Sequence, residues 1–217
     1  MIIHNFGETD SLLNQYTAEL RDVIIQRDSL RFRKNIERIG EILSYELSKT
    51  LDYQKKMVQT PLGNKKMSLP TSKLVLCSVL RAGLPLHQGL LNYFDKAENA
   101  FISAYRHHKE GKDEFEVIVN YMAAPSLDGK TLVLTDPMLA TGRTLRNVYK
   151  ALLRHGKPKE VHIISIIGST SGISYIKDFF PENTTLWISA IDNVLDSRGY
   201  IIPGLGDAGD LSFGLKL

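Results

Sequence analysis

"TLVLTDPMLATGRTL", residues 131–145, is the stretch on which the reading of the fold turns. An apolar, strand-like run meets a single acid, Asp136, passes through small and hydroxylated residues, and enters the helical pattern "LRNVYKALLRHG", which Gly156 is placed to end. A buried strand leading through such a turn into a helix is the repeating unit of a doubly wound sheet, where ligands sit beyond the carboxyl ends of the strands. The N-terminus of the helix offers unpaired N–H groups and a partial positive charge suited to a phosphate. Thr141 and Thr144 add hydroxyls, and Gly142 lets the backbone approach closely. Asp136 would repel a phosphate; it suits ribose hydroxyls, or a metal ion bridging the ligand. On these features alone a phosphate cradle and a plain turn stand about even, the latter with Thr141 capping the helix and Asp136 holding the bend.

Working outward, the rhythm continues on both sides. "KLVLCSVL" reads as a buried strand, followed by the turn "RAG" and a helix from about 85 to 94. "AFISAY" is a short strand, and "DEFEVIVNYM" alternates with Phe115, Val117, Val119 and Tyr121 on one face before Asp128-Gly129 turns the chain into "KTLVLT". "VHIISIIG", a helix around 170–180 and "TTLWISA" extend the alternation. Several strands are apolar throughout, as in a mostly parallel sheet covered on both faces. Ahead of these lie helical patterns at 11–25 and in "NIERIGEILSYEL", with Ile36, Ile39, Leu43 and Leu47 on one face. The polar stretch 51–72, broken by Pro61, Gly63 and Pro70, reads as an arm or loop. One α/β domain results, with N-terminal helices and arm over 1–72, a core over 73–190 and a glycine-rich C-terminal hood over 191–217.

Composition excludes several classes. A length of 217 residues with 43% hydrophobic and 24% charged residues is ordinary for one globular domain. The net charge of +3 argues against a nucleic-acid binder that relies on a strong positive field, and leaves room for a small anionic substrate. The single cysteine, Cys77, lies in an apolar run, reads as a small buried residue rather than a nucleophile, and suits a reducing cytoplasm. No apolar run approaches the ~18–20 residues of a membrane helix, and the start of the chain carries no basic-then-apolar export pattern. Asn183-Thr184-Thr185 is therefore a chance sequon.

Competing motifs fail on inspection. "DGKT" at 128–131 is not a Walker loop, because Ala124 stands where the first glycine belongs and the lysine leads into a strand. "RAGLPLHQG" lacks the dinucleotide pattern Gly-x-Gly-x-x-Gly. His107 and His108 could suggest a metal site, but adjacent histidines seldom point the same way and no spaced carboxylate completes a set, so they read as a solvated loop. Trp187 reads as core.

With "LATGRT" after an apolar strand and an acid, the loop resembles the phosphoribosyl diphosphate (PRPP) loop of type I phosphoribosyltransferases. Most members carry two adjacent acids there; Pro137 in the second place, within "DPMLATG", is similar to the uracil branch. Arg143 stands where that branch usually has glycine. "VLRAGLPL" resembles the branch's diphosphate loop, "AYRHHKEG" keeps the arginine of its Tyr-Arg segment, and "GYIIPGLGDAGD" at 199–210 closely resembles its uracil-binding segment. The four blocks fall in the family's order over 74–217.

The resemblance implies a type I phosphoribosyltransferase fold and transfer of the phosphoribosyl group of PRPP to N1 of uracil, giving uridine monophosphate (UMP) and diphosphate in pyrimidine salvage. It assigns PRPP to Arg81, Arg106, Asp136, Pro137, Met138, Leu139, Ala140, Thr141, Gly142, Arg143, Thr144 and Asp207, with Asp136, Arg106 and Arg81 as catalytic residues. It assigns uracil to Ile201, Gly206, Asp207 and Ala208. It further implies Mg²⁺ held mainly by PRPP and water, a homodimer or larger homo-oligomer, activation by GTP as in part of the family, and a mobile hairpin covering the site through "KDEFEV". Two alternatives keep the fold: an RNA-binding regulator of pyrimidine operons, which also carries "TGRT", and a transferase for another nucleobase. Pro137, the uracil segment and the small basic excess stand against the regulator.

Overall fold

The computed structural model describes residues 1–108 and 115–216, with the backbone alone at 104–108 and 115–120. The first strand, β1 (Ile2–Asn5), precedes helices α1 (Leu12–Arg21) and α2 (Ser29–Ser48). Asp28 caps α2 by accepting from the N–H groups of Leu30 and Arg31 at 3.0 and 3.1 Å, so this helix starts earlier than the "NIERIG" periodicity suggests. By contrast α1 stops at Arg21 rather than near 25. There Asp22 accepts from the N–H groups of Ile24 and Ile25 at 2.8 and 3.0 Å and turns the chain aside.

The stretch expected as an arm or loop is an antiparallel hairpin of β2 (Tyr53–Thr60) and β3 (Gly63–Pro70), exposed along most of its length. Pro61 and Gly63, which look like breaks, lie at its tip, and Pro70 takes the last paired position, where a missing N–H does least harm.

The central sheet follows: β4 (Leu74–Leu80), β5 (Glu98–His108), β6 (Phe115–Ala123), β7 (Thr131–Thr135), the two-residue β8 (Met138–Leu139), β9 (Glu160–Ser169) and β10 (Thr185–Asp192). Its order is β1-β10-β9-β7-β4-β5-β6, all parallel except β6, which runs antiparallel to β5. The expected mostly parallel, doubly wound sheet is present. β1 is an edge strand that the hydropathy pattern does not announce. The Asp128-Gly129 turn forms, with Lys130 N–H bonded to Leu127 O at 3.1 Å and Gly129 at φ +68°, while β7 pairs with β4 and β9.

Alternate residues of each strand enter two apolar clusters. Leu76, Val133, Ile164, Ile166 and Trp187 meet Ile36, Ile39, Leu43 and Leu47 of α2 and Leu86 and Leu90 of α3 (Leu84–Leu91). Val75, Cys77, Leu132, Leu134, Ile163 and Ile188 meet α4 (Arg143–Leu152) and α5 (Thr170–Phe179) through Leu145, Val148, Leu152, Ile173 and Ile176. Period-two alternation between two covered faces is why these strands read as continuously apolar. Cys77 lies in the second cluster, where burial pushes its thiol up to about 12, in keeping with an inert packing role. The chain ends in a short ribbon of β11 (Val194–Leu195) and β12 (Ile201–Ile202), then α6 (Ala208–Phe213). No helix among the described residues is long and apolar enough to cross a membrane.

Candidate active site

The site grows from two neighbouring strands that end together. Ser78 of β4 pairs with Thr135 of β7, so the loops carrying Arg81 and Asp136 leave the same carboxyl edge. They are packed closely. A Cβ on Gly83 would stand 2.6 Å from Val79 O and 3.0 Å from Thr135 O, so a glycine is needed where the first loop crosses the end of β7. The Leu80–Arg81 peptide within that loop is cis.

Asp136 is almost fully buried. Its N–H donates to Ile164 O at 3.2 Å, its carbonyl accepts from the Ser165 hydroxyl, and its Oδ1 accepts from Met138 N–H at 3.2 Å. The acid therefore does shape the bend. Pro137 O receives the N–H groups of Ile166 and Ile167 at 3.1 and 3.0 Å. Met138 and Leu139 pair alongside β9, which puts the Leu139 side chain in the core and limits its part in any ligand contact to the backbone. The Ser169 hydroxyl donates to Ala140 O at 2.6 Å, tying the loop to the start of α5.

At the head of α4 the residue in the capping position is Gly142, at φ +73°, and no side chain caps the helix. Thr141 Oγ1 takes only a long 3.4 Å bond from Arg143 N–H. The plain-turn reading is met in part: Asp136 holds the bend and Thr141 makes this one long bond, while the capping position itself carries no side chain. Apart from that bond no side chain caps the first turn of α4, an arrangement that favours an anion beside Thr141 and Thr144. Arg143 is exposed at this end.

The glycine-rich segment folds over the same edge. Ile201 is buried, Gly204 and Gly206 have φ of +56° and +90°, and the Ile202–Pro203 peptide is cis. Asp207 caps α6 by accepting from Gly209 and Asp210 N–H at 2.9 and 3.0 Å, leaving the N–H of buried Ala208 out of the cap. Burial opposes ionisation of Asp207, but Lys216 at 2.7 Å and the two helix N–H groups outweigh it and hold the carboxyl below its usual value. Both oxygens of Asp207 are thereby engaged within the protein.

Two sets of contacts bring the segments together. Ile201, Leu205 and Ala208 share one apolar cluster with Ala140, Val133 and Leu86, with Ala82, Met138 and Leu211 at its margin. Arg81 Nη2 donates to Asp210 Oδ1 at 3.0 Å and to Gly214 O at 3.2 Å. The Arg81 loop therefore touches the C-terminal segment directly, while Ala140 of the loop after β7 and Ile201 and Ala208 of the glycine-rich segment belong to one buried cluster. The Arg106 side chain and the expected hairpin tip at 109–114 lie outside the described residues.

Sequence reasoning missed the residues that anchor this edge. Arg21 makes a two-bond ion pair with Asp192 at 2.8 and 2.9 Å and also donates to Gly204 O at 3.0 Å, while Gly204 N–H donates to Asp192 Oδ2 at 3.0 Å. Arg33 donates to Ser212 O at 2.6 Å. The two arginines stand 171 to 183 positions from their partners, so no local pattern reveals them. Among the described residues no group of three or more His, Cys, Asp or Glu could hold a metal ion by itself.

Comparison with known proteins places this geometry. Residues 8–214 match the family model described as uracil phosphoribosyltransferase. A Porphyromonas gingivalis protein of that name is 53% identical over 216 residues, covering 100% of this chain and 99% of the relative. A Thermococcus gammatolerans protein of the same name is 38% identical over 219 residues, covering 99% and 94%. A solved Aquifex aeolicus protein superposes with a TM-score of 0.88 at 30% identity over 100% of both chains. An uncapped helix end, a buried loop acid and a glycine-rich hood on one sheet edge, in a chain matched along nearly its whole length, belong to a member of the uracil phosphoribosyltransferase family.

Proposed function

We propose that the chain transfers the phosphoribosyl group of PRPP to N1 of uracil, releasing diphosphate and forming UMP. The observation that carries this reading is the uncapped N-terminus of α4 on the same sheet edge as the hood.

Three tasks fall to residues of this chain. The 5′-phosphate lies against the backbone and hydroxyls of Ala140 through Thr144, at the first turn of α4. Asp136, beside the turn, accepts the ribose 2′- and 3′-hydroxyls and fixes the ring. Arg81 and Arg106 receive the diphosphate as charge grows on it, a kind of stabilisation worth ~3–4 kcal/mol per donor by analogy with oxyanion holes. As the anomeric carbon loses diphosphate it gains oxocarbenium character, and N1 of uracil attacks the exposed face, its proton being released along with the diphosphate. Asp207 supports this edge by holding α6, its carboxylate being occupied there.

Uracil presents a carbonyl, an N–H and a second carbonyl along one edge. Backbone groups of Ile201, Gly206 and Ala208 match that order, and the Ala208 N–H left out of the α6 cap is a donor of the required kind. Cytosine, with an amino group in place of one carbonyl, would strand a buried N–H at a cost of ~1–3 kcal/mol.

Magnesium carried on PRPP fits this donor set, because Mg²⁺ keeps several waters and takes one or two carboxylates alongside substrate phosphates. Asp136 is the acid the loop offers, and when bound the ion would offset the charge of the departing diphosphate. A cytoplasmic location, assembly into homo-oligomers and an effect of GTP belong to the same reading through the family resemblance. The test is a nucleobase panel: the protein with PRPP, Mg²⁺ and uracil, cytosine, hypoxanthine or adenine in turn. UMP formed from uracil alone supports the reading, and failure to form it rejects it.

A further inference from the structure

We infer that Asp210 is a positioning residue for the diphosphate step, acting through Arg81; the inference rests on the transferase reading above. A guanidinium has five N–H donors. Arg81 commits two of them, both on Nη2, to Asp210 Oδ1 and Gly214 O at 3.0 and 3.2 Å. Nε and Nη1 have no partner among the described residues, so one end of the group is anchored and the remaining donors stay open for an anion.

The anchor is built rather than incidental. Asp210 sits in the first turn of α6, its own N–H bound by Asp207 at 3.0 Å, so its backbone is fixed by the cap of the same helix. Lys216 approaches Asp207 at 2.7 Å and Asp210 at 3.4 Å, closing a network of two acids and one further base around Arg81. The turn lies beside the diphosphate loop at ordinary contact distance from Gly209. A Cβ there would stand 3.9 Å from Ala82 Cβ and 4.0 Å from Arg81 Nη2. The Asp210 side chain is mostly covered, whereas Arg81 is 42% exposed and would otherwise sample many rotamers.

The helix that completes the base segment thus also aims the arginine meant for diphosphate, so that seating the base and stabilising the leaving group depend on one turn of chain. Arg–carboxylate hydrogen bonds are directional, which is why a carboxylate suits this role.

The full-length protein is assayed as wild type, Asp210→Ala, Asp210→Asn and Asp210→Glu, with Arg81→Ala alone and combined with Asp210→Ala. Asp210→Ala is expected to lower kcat/KM for PRPP by roughly 30-fold, as for loss of a charge-assisted hydrogen bond, and to leave KM for uracil within about twofold. Asp210→Glu recovers part of the loss and Asp210→Asn less. In the Arg81→Ala background the second substitution adds less than about twofold, because residues acting as a unit are not additive. Melting temperatures separate unfolding from mispositioning, and Asp210→Asn, nearly isosteric, keeps the test alive if the alanine variant fails to fold. Additive losses, or an effect confined to KM for uracil, overturn the inference while wild-type UMP formation leaves the transferase reading standing. An inactive wild type removes both.

Discussion

Replacing Gly142 with alanine probes the phosphate loop where its geometry is tightest. The residue has φ +73°, a left-handed conformation that costs an L-residue roughly 1–2 kcal/mol. The new Cβ would also stand 2.9 Å from Gly172 O, 2.8 Å from Ile176 Cγ2 and 3.0 Å from Tyr175 Cδ1, where ordinary contact begins near 3.4 Å. Relief requires the loop to withdraw from α5 by about half an ångström. α5 has little freedom to yield instead, since its Gly172 lies against the Ala140 carbonyl, with an added Cβ 2.9 Å from that carbonyl carbon. Overpacking of this kind adds about 1–3 kcal/mol to the backbone strain. For a chain of this length each kcal/mol lowers Tm by roughly 2–4 °C, so a fall of roughly 5–15 °C is expected. A 1 Å misplacement can cost about 100-fold in rate, so half that shift should lower kcat/KM for PRPP by roughly 10-fold. KM for uracil should stay near wild type, because Arg21 and Asp192 anchor Gly204 independently of this turn. The assay is UMP formation with PRPP varied at saturating uracil, paired with a thermal melt. An alanine enzyme within about threefold of wild type and with unchanged Tm would refute the assignment of the phosphate to this loop.

Other substitutions separate the remaining roles. Asp136→Asn keeps an oxygen that can accept from Met138 N–H but removes the charge, so turnover should fall by roughly 10-fold to 100-fold with an unchanged melt, as for hydrogen bonds to a charged group; wild-type kinetics would end the acid's assigned role. Arg21→Ala strands buried Asp192 and the Gly204 carbonyl, and should cost about 2–3 kcal/mol in urea unfolding, somewhat less than for fully buried pairs because Arg21 keeps partial exposure. It should also raise KM for uracil several-fold, and an unchanged KM would show that the hood holds its shape without the pair. His162, bonded through Nδ1 to Trp187 Nε1–H at 3.1 Å, is pushed down by burial, and secondarily by His4, to about 4. The unfolded chain takes up this proton near the ordinary 6.5 while the folded chain resists until about 4. The resulting stability is present above pH 6.5 and is lost as pH falls toward 4, by about 3 kcal/mol in all. Buried His87, also pushed down, adds in the same direction. Urea unfolding of wild type and His162→Gln at pH 7 and 4.5 reads the difference, and identical pH slopes would refute it.

What was legible in the chain is what a continuous stretch can encode. The strand, acid, small-residue turn and helix at 131–152 lie in one continuous stretch, so the βα unit could be read directly; whether the helix end is capped turns on the left-handed backbone at Gly142, which the residue types alone leave even. The alternation of apolar residues gave away a sheet covered twice, since each strand feeds both clusters. Misreadings arose where one side chain overrides periodicity. Asp22 ends a helix whose apolar pattern runs on through Val23, Ile24 and Ile25, and the exposure of Val23 at 70% and Ile24 at 75% shows that those residues never joined a buried face. Pro61 and Gly63 were legible as a break in the chain, but the pairing of the polar strands on either side follows from backbone register that composition does not carry.

The relation between the two halves of the site is a different kind of information. Each loop could be found alone, yet a transferase needs the pentose and the base within bonding distance, and no property of "DPMLATG" or "GLGDAGD" sets that separation. The structure sets it with contacts between distant positions: Arg21 with Asp192 and Gly204, Arg33 with Ser212, and Arg81 with Asp210 and Gly214. Each joins a cation to carboxylate or carbonyl oxygen, and each ends in the last 26 residues. The hood has too few buried apolar side chains to hold its place by packing alone, so directional polar bonds supply the orientation that its small share of the core cannot. Loss of one such bond should therefore change how the two substrates meet before it changes whether the chain folds.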